Sequence, residues 1–171
     1  MQTNNFIEAT VCFLLRENNG NTEVLLAKKA NKIGAGCWNG YGGKPEPQDS
    51  DIDDTCVREM YEESFVQIAK NDIEKVAVIK FINKIDNADD FRMRVHFYIC
   101  RKWQGEAVST KEMPHPTWFP INNLPTGEMQ NADLHFVPLI LSGKKVIGEF
   151  HYGISPDRKL LFQKVEEVHE L

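Results

Sequence analysis

The stretch that decides the fold is GGKPEPQDSDIDDTCVREMYEESFV, residues 42–66. Between Glu46 and Glu63 it contains eight acidic residues and a single base, Arg58. Two prolines keep its first part as a loop. The cluster of aspartates that follows favours a helix start, because the helix dipole stabilises negative charge there. The sequence therefore predicts an acidic loop followed by a helix over residues 52–68.

The acidic side chains of this helix do not all face solvent. On a helical wheel Ile52, Cys56 and Met60 form an apolar stripe, which predicts the buried side of the helix. Glu59 and Glu63 lie about 40° apart beside that stripe. Like charges one turn apart repel, and burial adds a desolvation cost unless a partner neutralises them.

A divalent cation is one partner that would neutralise these glutamates. Mg²⁺ prefers oxygen ligands and retains waters that substrate phosphates can replace. The alternative is a solvated acidic helix face, on which Arg58 pairs with Glu62 four residues later. The helical spacing alone leaves both interpretations open.

Upstream, the pattern predicts a β-hairpin and a glycine-rich loop. Residues 7–16 (IEATVCFLLR) and 23–29 (EVLLAKK) read as strands on either side of the turn sequence ENNGNT. Residues 33–43 (IGAGCWNGYGG) contain too much glycine for a helix. Within this loop we expect Trp38 to pack in the core.

Downstream, strands are more numerous than helices. A second helix is expected over residues 133–142, and a closing hairpin turns at GISPD, residues 153–157. Strands and helices do not alternate in βαβ fashion, so the sequence predicts one α+β domain over residues 1–171, with a mixed sheet and two helices. The predicted strands are residues 76–82, 91–103, 117–121, 145–152 and 159–165.

The composition is that of a globular protein and argues against several classes of partner. The 171 residues carry a net charge of −5 without a basic stripe, so no nucleic acid polymer is expected to bind. No apolar run approaches the ~20 residues of a membrane span. The N-terminus lacks the features of a signal peptide, which favours a cytoplasmic protein. The four cysteines are scattered, which predicts reduced thiols and not a zinc site or disulfides.

The acidic stretch resembles the Nudix box, the signature of the Nudix hydrolase family. After a glycine and a loop acid, that box has the pattern Arg-Glu-apolar-x-Glu-Glu-x-Gly-apolar, which REMYEESFV at residues 58–66 follows closely. The family's arginine is structural and holds a helix glutamate, which assigns that role to Arg58. One extra residue precedes Arg58, so Asp49 takes the place of the loop acid. Phe65 replaces the glycine, so we expect a helix exit that is built differently.

The resemblance extends over residues 10–150. AKKANKIGAGCWNGYGGK at 27–44, KEMPHPTWFPINNLP at 111–125 and ADLHFVPLIL at 132–141 are similar to the MutT-like branch that hydrolyses oxidised purine nucleoside triphosphates. The resemblance implies a Nudix fold, Mg²⁺ as cofactor with Mn²⁺ as an alternative, and a nucleoside monophosphate and pyrophosphate as products. The rival functions are hydrolysis of another nucleoside diphosphate-X compound, such as a dinucleotide or nucleotide sugar, and silent nucleotide binding. The oligomeric state, monomer or dimer, stays open.

The resemblance assigns the acidic residues to metal binding and catalysis. Glu62 and Glu63 resemble metal ligands, and Glu59 resembles a third ligand or the carboxylate that orients water. Gly43 is expected to offer its backbone carbonyl to the cation, because glycine permits a close approach. Glu112 matches a glutamate that binds metal or activates water, and the alternative is an ordinary surface acid.

The same resemblance supplies candidates for substrate binding. Asn39 and Asp133 match side chains that bind the purine edge, with a turn role for Asn39 and an N-cap role for Asp133 as alternatives. Thr10 is expected to line the pocket, and Lys29 either meets a phosphate or is a solvated lysine. Loss of aromatic stacking, worth ~1–3 kcal/mol per base, changes substrate preference. The positions that replace the branch's tryptophan, phenylalanine and second aspartate are Gln130, Ile33 and Ala132.

Overall fold

The computed structural model describes residues 5–31, 33–86, 89–154 and 158–171. Within these ranges lie eight strands and two α-helices, joined by loops and short 3₁₀ turns. The strands are β1 (Ile7–Asn18), β2 (Asn21–Lys28), β3 (Trp38–Asn39), β4 (Ile73–Asn83), β5 (Phe91–Cys100), β6 (Thr117–Pro120), β7 (Lys145–Tyr152) and β8 (Leu160–Val168). The helices are α1 (Ile52–Ser64) and α2 (Asp133–Leu141).

The strands form one mixed sheet in the order β3-β2-β1-β5-β4-β7-β8, with β6 paired to β2. β1 runs parallel to β5, and β4 runs parallel to β7. The other neighbouring strands are antiparallel. This arrangement confirms the predicted α+β class with a mixed sheet and two helices.

The two helices cover opposite faces of the sheet. Side chains of β1 alternate between them, because successive residues of a strand point to opposite faces. Phe13 belongs to the apolar cluster that includes Phe136 of α2, whereas Leu14 belongs to the cluster that includes Met60 of α1. A one-residue slip would exchange these faces, so burial on both sides fixes the strand register.

The first hairpin is tighter than predicted. The sequence suggests a turn over residues 17–22, but the strands continue to Asn18 and resume at Asn21. The two turn residues, Asn19 and Gly20, have φ angles of 50° and 80°. A two-residue type I′ turn requires positive φ at both positions and favours Asn-Gly, which explains why the flanking polar residues join the strands.

Helix α1 begins where predicted but ends at Ser64 rather than at residue 68. Phe65 follows with φ 62° and ψ 13°, in the left-handed region, and its N–H donates to the Tyr61 carbonyl. The expectation of a differently built exit is therefore wrong. Phe65 adopts the conformation in which glycine usually ends a helix, at a cost of roughly 1–2 kcal/mol for a residue with a β-carbon.

The remaining predicted elements agree with the structure apart from their limits, and the predicted glycine-rich loop additionally contains the short strand β3, which pairs with β2. β4 is longer than predicted at both ends, and β5 ends at Cys100 instead of residue 103. β7 and β8 pair as the predicted antiparallel hairpin, although residues 155–157 of its GISPD turn lie outside the described residues. All four cysteines carry free thiols, as predicted. Among the described residues, no helix is long and apolar enough to cross a membrane.

Candidate active site

The start of α1 is fixed by its own acidic residues. Asp51 is the N-cap, and its carboxylate accepts hydrogen bonds from the N–H groups of Asp53 and Asp54, each at 3.0 Å. Cys56 and Met60 are almost fully buried, which confirms the predicted apolar stripe for these two residues, whereas Ile52 at the helix start is only half-buried. This orientation turns the glutamates beside the stripe toward the loop that precedes the helix.

Glu63 is buried against that loop. Only 8% of the residue is exposed, and its carboxylate accepts a hydrogen bond from the Gly42 N–H at 2.9 Å. Burial raises the pKa of Glu63 to about 7 despite the Gly42 bond, and the charges of Glu59 and Glu112 add to the rise. The three carboxylates therefore act on one another electrostatically.

Glu59 approaches the second loop glycine closely. A β-carbon placed on Gly43 would overlap the Glu59 carboxylate, so a larger residue there would push this side chain out of its present position. Burial raises the pKa of Glu59, although the hydrogen bond from Arg58 opposes the rise. The Glu59 carboxylate is therefore enclosed between the loop glycine and Arg58.

Arg58 ties the acidic loop to the helix. Its Nε and Nη2 both donate to Asp49 at 2.9 Å, and its Nη1 donates to Glu59 at 3.0 Å and to Glu62 at 2.9 Å. The Arg58 guanidinium holds the pKa of Asp49 well below its usual range. Arg58 therefore holds two helix glutamates, as the predicted structural role requires. The extra loop residue does not prevent Asp49 from reaching it.

Glu62 and Glu112 complete the acidic end and are more exposed. The Glu62 side chain is 51% exposed beside the arginine. Glu112 lies on the loop before β6, and its carbonyl accepts the Ala30 N–H at 3.0 Å. In the same loop the Thr110 hydroxyl donates to the Glu63 carbonyl at 3.0 Å. These bonds hold the loop beside the end of α1, so Glu112 lines the same cavity as the box glutamates.

The predicted carbonyl ligand, Gly43, is held by the first strand. Its oxygen accepts the Thr10 N–H at 2.8 Å and lies 3.5 Å from the Thr10 hydroxyl. A carbonyl oxygen has two lone pairs, so the backbone bond leaves one for a cation. Thr10 is buried and also lines the cavity, as predicted.

The acidic end offers oxygen donors to a cation, but these donors do not yet converge on one point. Across the described ranges, no three His, Cys, Asp or Glu side chains converge as metal ligands. Arg58 holds Glu59 and Glu62, whereas the Gly42 N–H holds Glu63, so the three carboxylates are bound to different partners. All the donors are hard oxygens that suit Mg²⁺ or Mn²⁺. Burial raises the pKa of Glu63, and the charges of Glu59 and Glu112 add to the rise; a bound divalent cation would offset both effects, so the donor set fits one.

One cavity of about 990 Å³ joins this acidic end to a more apolar end. Pockets of this size commonly bury most of a ligand the size of a nucleotide. Its apolar wall comes from β4 and β5, namely Phe81, Phe91, Met93, Val95 and Phe97. The predicted substrate-binding residues all line it: Thr10, Lys29, Asn39, Gln130 and Asp133.

Asp133 is the least satisfied polar group at the apolar end. It is 4% exposed, and its Oδ2 has no hydrogen-bond partner among the described residues. Burial raises the pKa of Asp133 to about 7, although the charge of Lys29 opposes the rise. The N-cap interpretation is wrong, because Ala132 occupies that position and Asp133 is the first helical residue. A buried carboxyl oxygen without a protein partner is suited to a ligand.

The other predicted pocket residues surround Asp133. Asn39 is 9% exposed, and its Oδ1 accepts the Gly40 N–H at 2.8 Å, so it combines the turn role with a place in the cavity wall. Gln130 packs over Gly34, where a β-carbon would overlap the glutamine amide. Ile33 also lines the cavity.

Lys29 and Trp38 have separate roles. The charge of Lys29 lowers the pKa of both Glu63 and Asp133, so it acts on both ends of the cavity. Contact with a phosphate stays a prediction. Trp38 packs edge to face on Phe119, with ring centroids 5.0 Å apart, but it is half-buried and lies against the core, not inside it as predicted.

The cavity-wall residues that sequence reasoning missed include Asn83, Tyr152 and Arg158. Strand alternation offers a signal for Asn83, which shares a sheet face with the cavity residue Phe81 two positions earlier. No motif marks Arg158. It reaches the cavity because the β7–β8 hairpin lies beside β4 in the sheet.

Comparison with known proteins agrees with this architecture. The family model of the NUDIX domain matches residues 6–140. A zebrafish (Danio rerio) protein named oxidized purine nucleoside triphosphate hydrolase is 32% identical over 150 residues, which cover 86% of this chain and 89% of that protein. The mouse (Mus musculus) protein of the same name is 33% identical over 129 residues, covering 75% of this chain and 78% of that one.

A solved structure shows the same fold. The MutT protein from Bacillus halodurans superimposes with a TM-score of 0.75 at 20% identity, over 94% of this chain and 98% of that one. The predicted fold and family are confirmed by these matches. The chain belongs to the Nudix family and is a Nudix hydrolase, as its box motif predicts.

Proposed function

We propose that this Nudix hydrolase cleaves oxidised purine nucleoside triphosphates to a nucleoside monophosphate and pyrophosphate, and so removes oxidised nucleotides from the nucleotide pool. The observation that carries the proposal is one cavity that joins Glu59, Glu62, Glu63 and Glu112 to the buried Asp133, whose Oδ2 has no hydrogen-bond partner among the described residues. One end suits a charged polyphosphate with its cation, and the other suits a flat, partly polar base. The names of the zebrafish and mouse relatives support the same substrate class.

At the apolar end, Asp133 and Asn39 would bind the edge of the base. Because burial raises the pKa of Asp133 to about 7, the carboxyl group is available near neutral pH both as a donor and as an acceptor. The amide of Asn39 also carries both kinds of group. Apolar walls from β4 and β5 enclose the faces of the base. A base that leaves these buried polar groups unpaired would be rejected.

At the acidic end, the carboxylates alone would repel a triphosphate. Glu59, Glu62, Glu63 and Glu112, with the Gly43 carbonyl, would hold Mg²⁺, for which Mn²⁺ is the alternative. When bound, the cation neutralises phosphate charge and polarises phosphorus. Lys29 supplies a further positive charge to this end of the cavity.

The protein's own role in the chemistry is to place a water and take its proton. The water oxygen forms a new bond to phosphorus as the bond in the α–β phosphate bridge breaks, and pyrophosphate leaves. Glu59 or Glu112 would accept the proton, since both line the cavity as carboxylates. Glu59 is the more enclosed of the two, because the loop glycine and Arg58 pack against it.

We also propose that residues 1–171 form a single domain that acts in the cytoplasm. β7 and β8 lie beyond the family match but hydrogen-bond into the same sheet, and Tyr152 and Arg158 bring that hairpin to the cavity. The second candidate is another nucleoside diphosphate-X compound, since a fold does not fix its substrate. The replaced pocket positions Gln130 and Ile33, both in the cavity wall, favour it.

A substrate panel tests the proposal against this rival. Oxidised and normal purine deoxynucleoside triphosphates, a dinucleoside polyphosphate and a nucleotide sugar are compared at equal concentration with Mg²⁺, and all products are resolved by chromatography. The proposal expects the highest kcat/KM for an oxidised purine triphosphate. A higher value for the dinucleotide or the sugar would replace it with the rival.

A further inference from the structure

Arg158 brings a guanidinium to the apolar end of the cavity from outside the family match. It precedes β8, whereas the NUDIX match ends at residue 140. The guanidinium lies 4.8 Å from the centre of the Tyr152 ring, and its Nη2 donates to the Asn83 Oδ1 at 2.6 Å. Stacking and a hydrogen bond together fix the plane of the group.

The acceptor of that bond is itself fixed. Asn83 ends β4 and is 8% exposed, and its Nδ2 donates to the Phe91 carbonyl at 3.3 Å. In the sheet register, Asn83 is the partner of Phe91 in β5 on one side and of Tyr152 in β7 on the other. With its nitrogen engaged by β5, the amide presents its oxygen to Arg158.

Tyr152 connects Arg158 to the base-reading carboxyl group. Its hydroxyl accepts the Ala132 N–H at 3.1 Å, one residue before Asp133. Burial raises the pKa of Tyr152, with the charge of Asp133 adding to the rise and that of Arg158 opposing it. Both charges therefore act on the same phenol, and both residues line the same cavity.

The two groups have different recognition chemistry. A carboxyl group with a pKa near neutrality donates or accepts according to its protonation state, so it accommodates either an amine or a carbonyl. A guanidinium has five N–H donors and no acceptor, and it stays protonated in proteins. It stabilises a carbonyl oxygen in the ligand and gains nothing from an amine at the same position.

We propose that Arg158 is a specificity-determining residue that recognises a carbonyl oxygen on the substrate base. It would favour a purine with an oxygen, over an amine or a hydrogen, at the ring position that faces the β7–β8 hairpin. This inference rests on the proposed function, in which the base occupies the apolar end.

Matched substrate pairs test the inference. Each pair of purine deoxynucleoside triphosphates differs in one group: oxygen or amine at C6, oxygen or amine at C2, oxygen or hydrogen at C8. We expect wild type to prefer the oxygen member of at least one pair, and Arg158→Met to reduce that kcat/KM preference by at least ~10-fold. Arg16→Met is the matched control, because Arg16 also stacks on an aromatic ring, Trp118 at 4.1 Å, but at a different place.

Three further measurements separate recognition from structure. Calorimetry of the corresponding nucleoside monophosphates without divalent cation isolates the apolar end, and it should show the same loss of preference in Arg158→Met. Arg158→Lys keeps the charge without the planar fork and should give an intermediate preference. Asn83→Ala, which removes the anchor of the guanidinium, should weaken the preference in the same direction.

The outcomes distinguish this inference from the function beneath it. If the enzyme cleaves purine triphosphates and Arg158→Met leaves every pairwise preference unchanged, the inference is overturned and the proposed function is not. A uniform loss of affinity for both members of each pair in the Met and Lys variants has the same consequence. A wild-type enzyme that cleaves no purine triphosphate overturns the proposed function together with this inference.

Discussion

The two ends of the cavity handle buried charge in opposite ways. At the acidic end each box glutamate has a protein partner: Glu63 accepts the Gly42 N–H, and Glu59 and Glu62 accept from Arg58. At the apolar end, Asp133 Oδ2 is buried without a partner in the described part of the chain. The difference indicates that the first end is organised before substrate arrives, whereas the second keeps a polar group for the ligand.

The difference also appears in the sequence distance that each end spans. The box glutamates, Arg58 and the two loop glycines of the acidic end all lie within residues 42–63, on one loop and one helix, although Thr10, Lys29 and Glu112 reach this end from elsewhere. The apolar end combines residues from the glycine-rich loop, β4, α2 and the β7–β8 hairpin. We therefore expect substitutions at the first end to change the rate for all substrates, and substitutions at the second end to change the choice among them.

The largest effect is expected at the acidic end. Glu63→Gln should lower kcat by at least ~100-fold, because it removes a charged ligand from a metal-assisted step. The fold should stay intact, since the glutamine oxygen still accepts the Gly42 N–H and like-charge repulsion falls. Steady-state kinetics with a thermal melt measure both. Glu74→Gln is the control, because Glu74 is an exposed residue near the start of β4. Near-normal turnover in Glu63→Gln would remove it from the ligand set.

The second effect is a pH-dependent stability set by Asp133. Its pKa rises from 3.8 to about 7 on folding, so the folded state binds more protons between these values. The contribution of Asp133 to the free energy of unfolding should therefore fall as pH rises from about 4 to 7, by roughly 3 kcal/mol, and level off above about pH 8. Asp133→Asn should lack the part of this fall that Asp133 causes, whereas the part caused by Glu63, whose pKa is also raised to about 7, should remain. Urea titrations of both proteins across that range measure the difference, and a difference that is constant with pH would show that Asp133 does not titrate as described.

A smaller effect separates base reading from a purely structural role. Asp133→Asn should narrow the kcat/KM ratio of an oxidised purine triphosphate over its normal parent by at least ~10-fold, about 1.4 kcal/mol. Because Ala132 holds the N-cap position, the melting temperature at neutral pH should not fall. An unchanged ratio would remove Asp133 from the base site.

The smallest effect concerns the exit from α1. Phe65→Gly should raise the free energy of unfolding by roughly 0.5–1 kcal/mol, because glycine adopts the left-handed conformation without strain. Phe65→Ala is the control, since it removes the ring and its contact with Tyr61 but keeps the strain. Chemical denaturation ranks the three proteins. A glycine variant no more stable than the alanine variant would show that φ 62° at this position is not costly.

The sequence predicted the acidic end well because its information is local. The helical spacing of Glu59 and Glu63 and the position of Arg58 depend only on a helix and its loop, and the structure places them accordingly. Their catalytic roles remain predictions. The helix end was misplaced because propensity did not show that Phe65 would accept a left-handed conformation.

The apolar end was predicted only in part because it depends on the sheet. Asp133 and Asn39 were found through the resemblance, and residue type alone left capping and turn roles open. Arg158 and Asn83 meet only because β7 pairs with β4, a contact between strands more than 60 residues apart. No short pattern records such a pairing, since parallel neighbours are joined through long connections.

The central claim is that one cavity holds a cation-dependent phosphate end and a purine-reading end. The most direct test is hydrolysis of an oxidised purine deoxynucleoside triphosphate in oxygen-18 water, with Mg²⁺ titrated from zero and products identified by mass spectrometry. The account predicts turnover only with the divalent cation, with nucleoside monophosphate and pyrophosphate as products and one oxygen-18 per cleavage. Release of inorganic phosphate and a nucleoside diphosphate, or equal turnover without the cation, would contradict it.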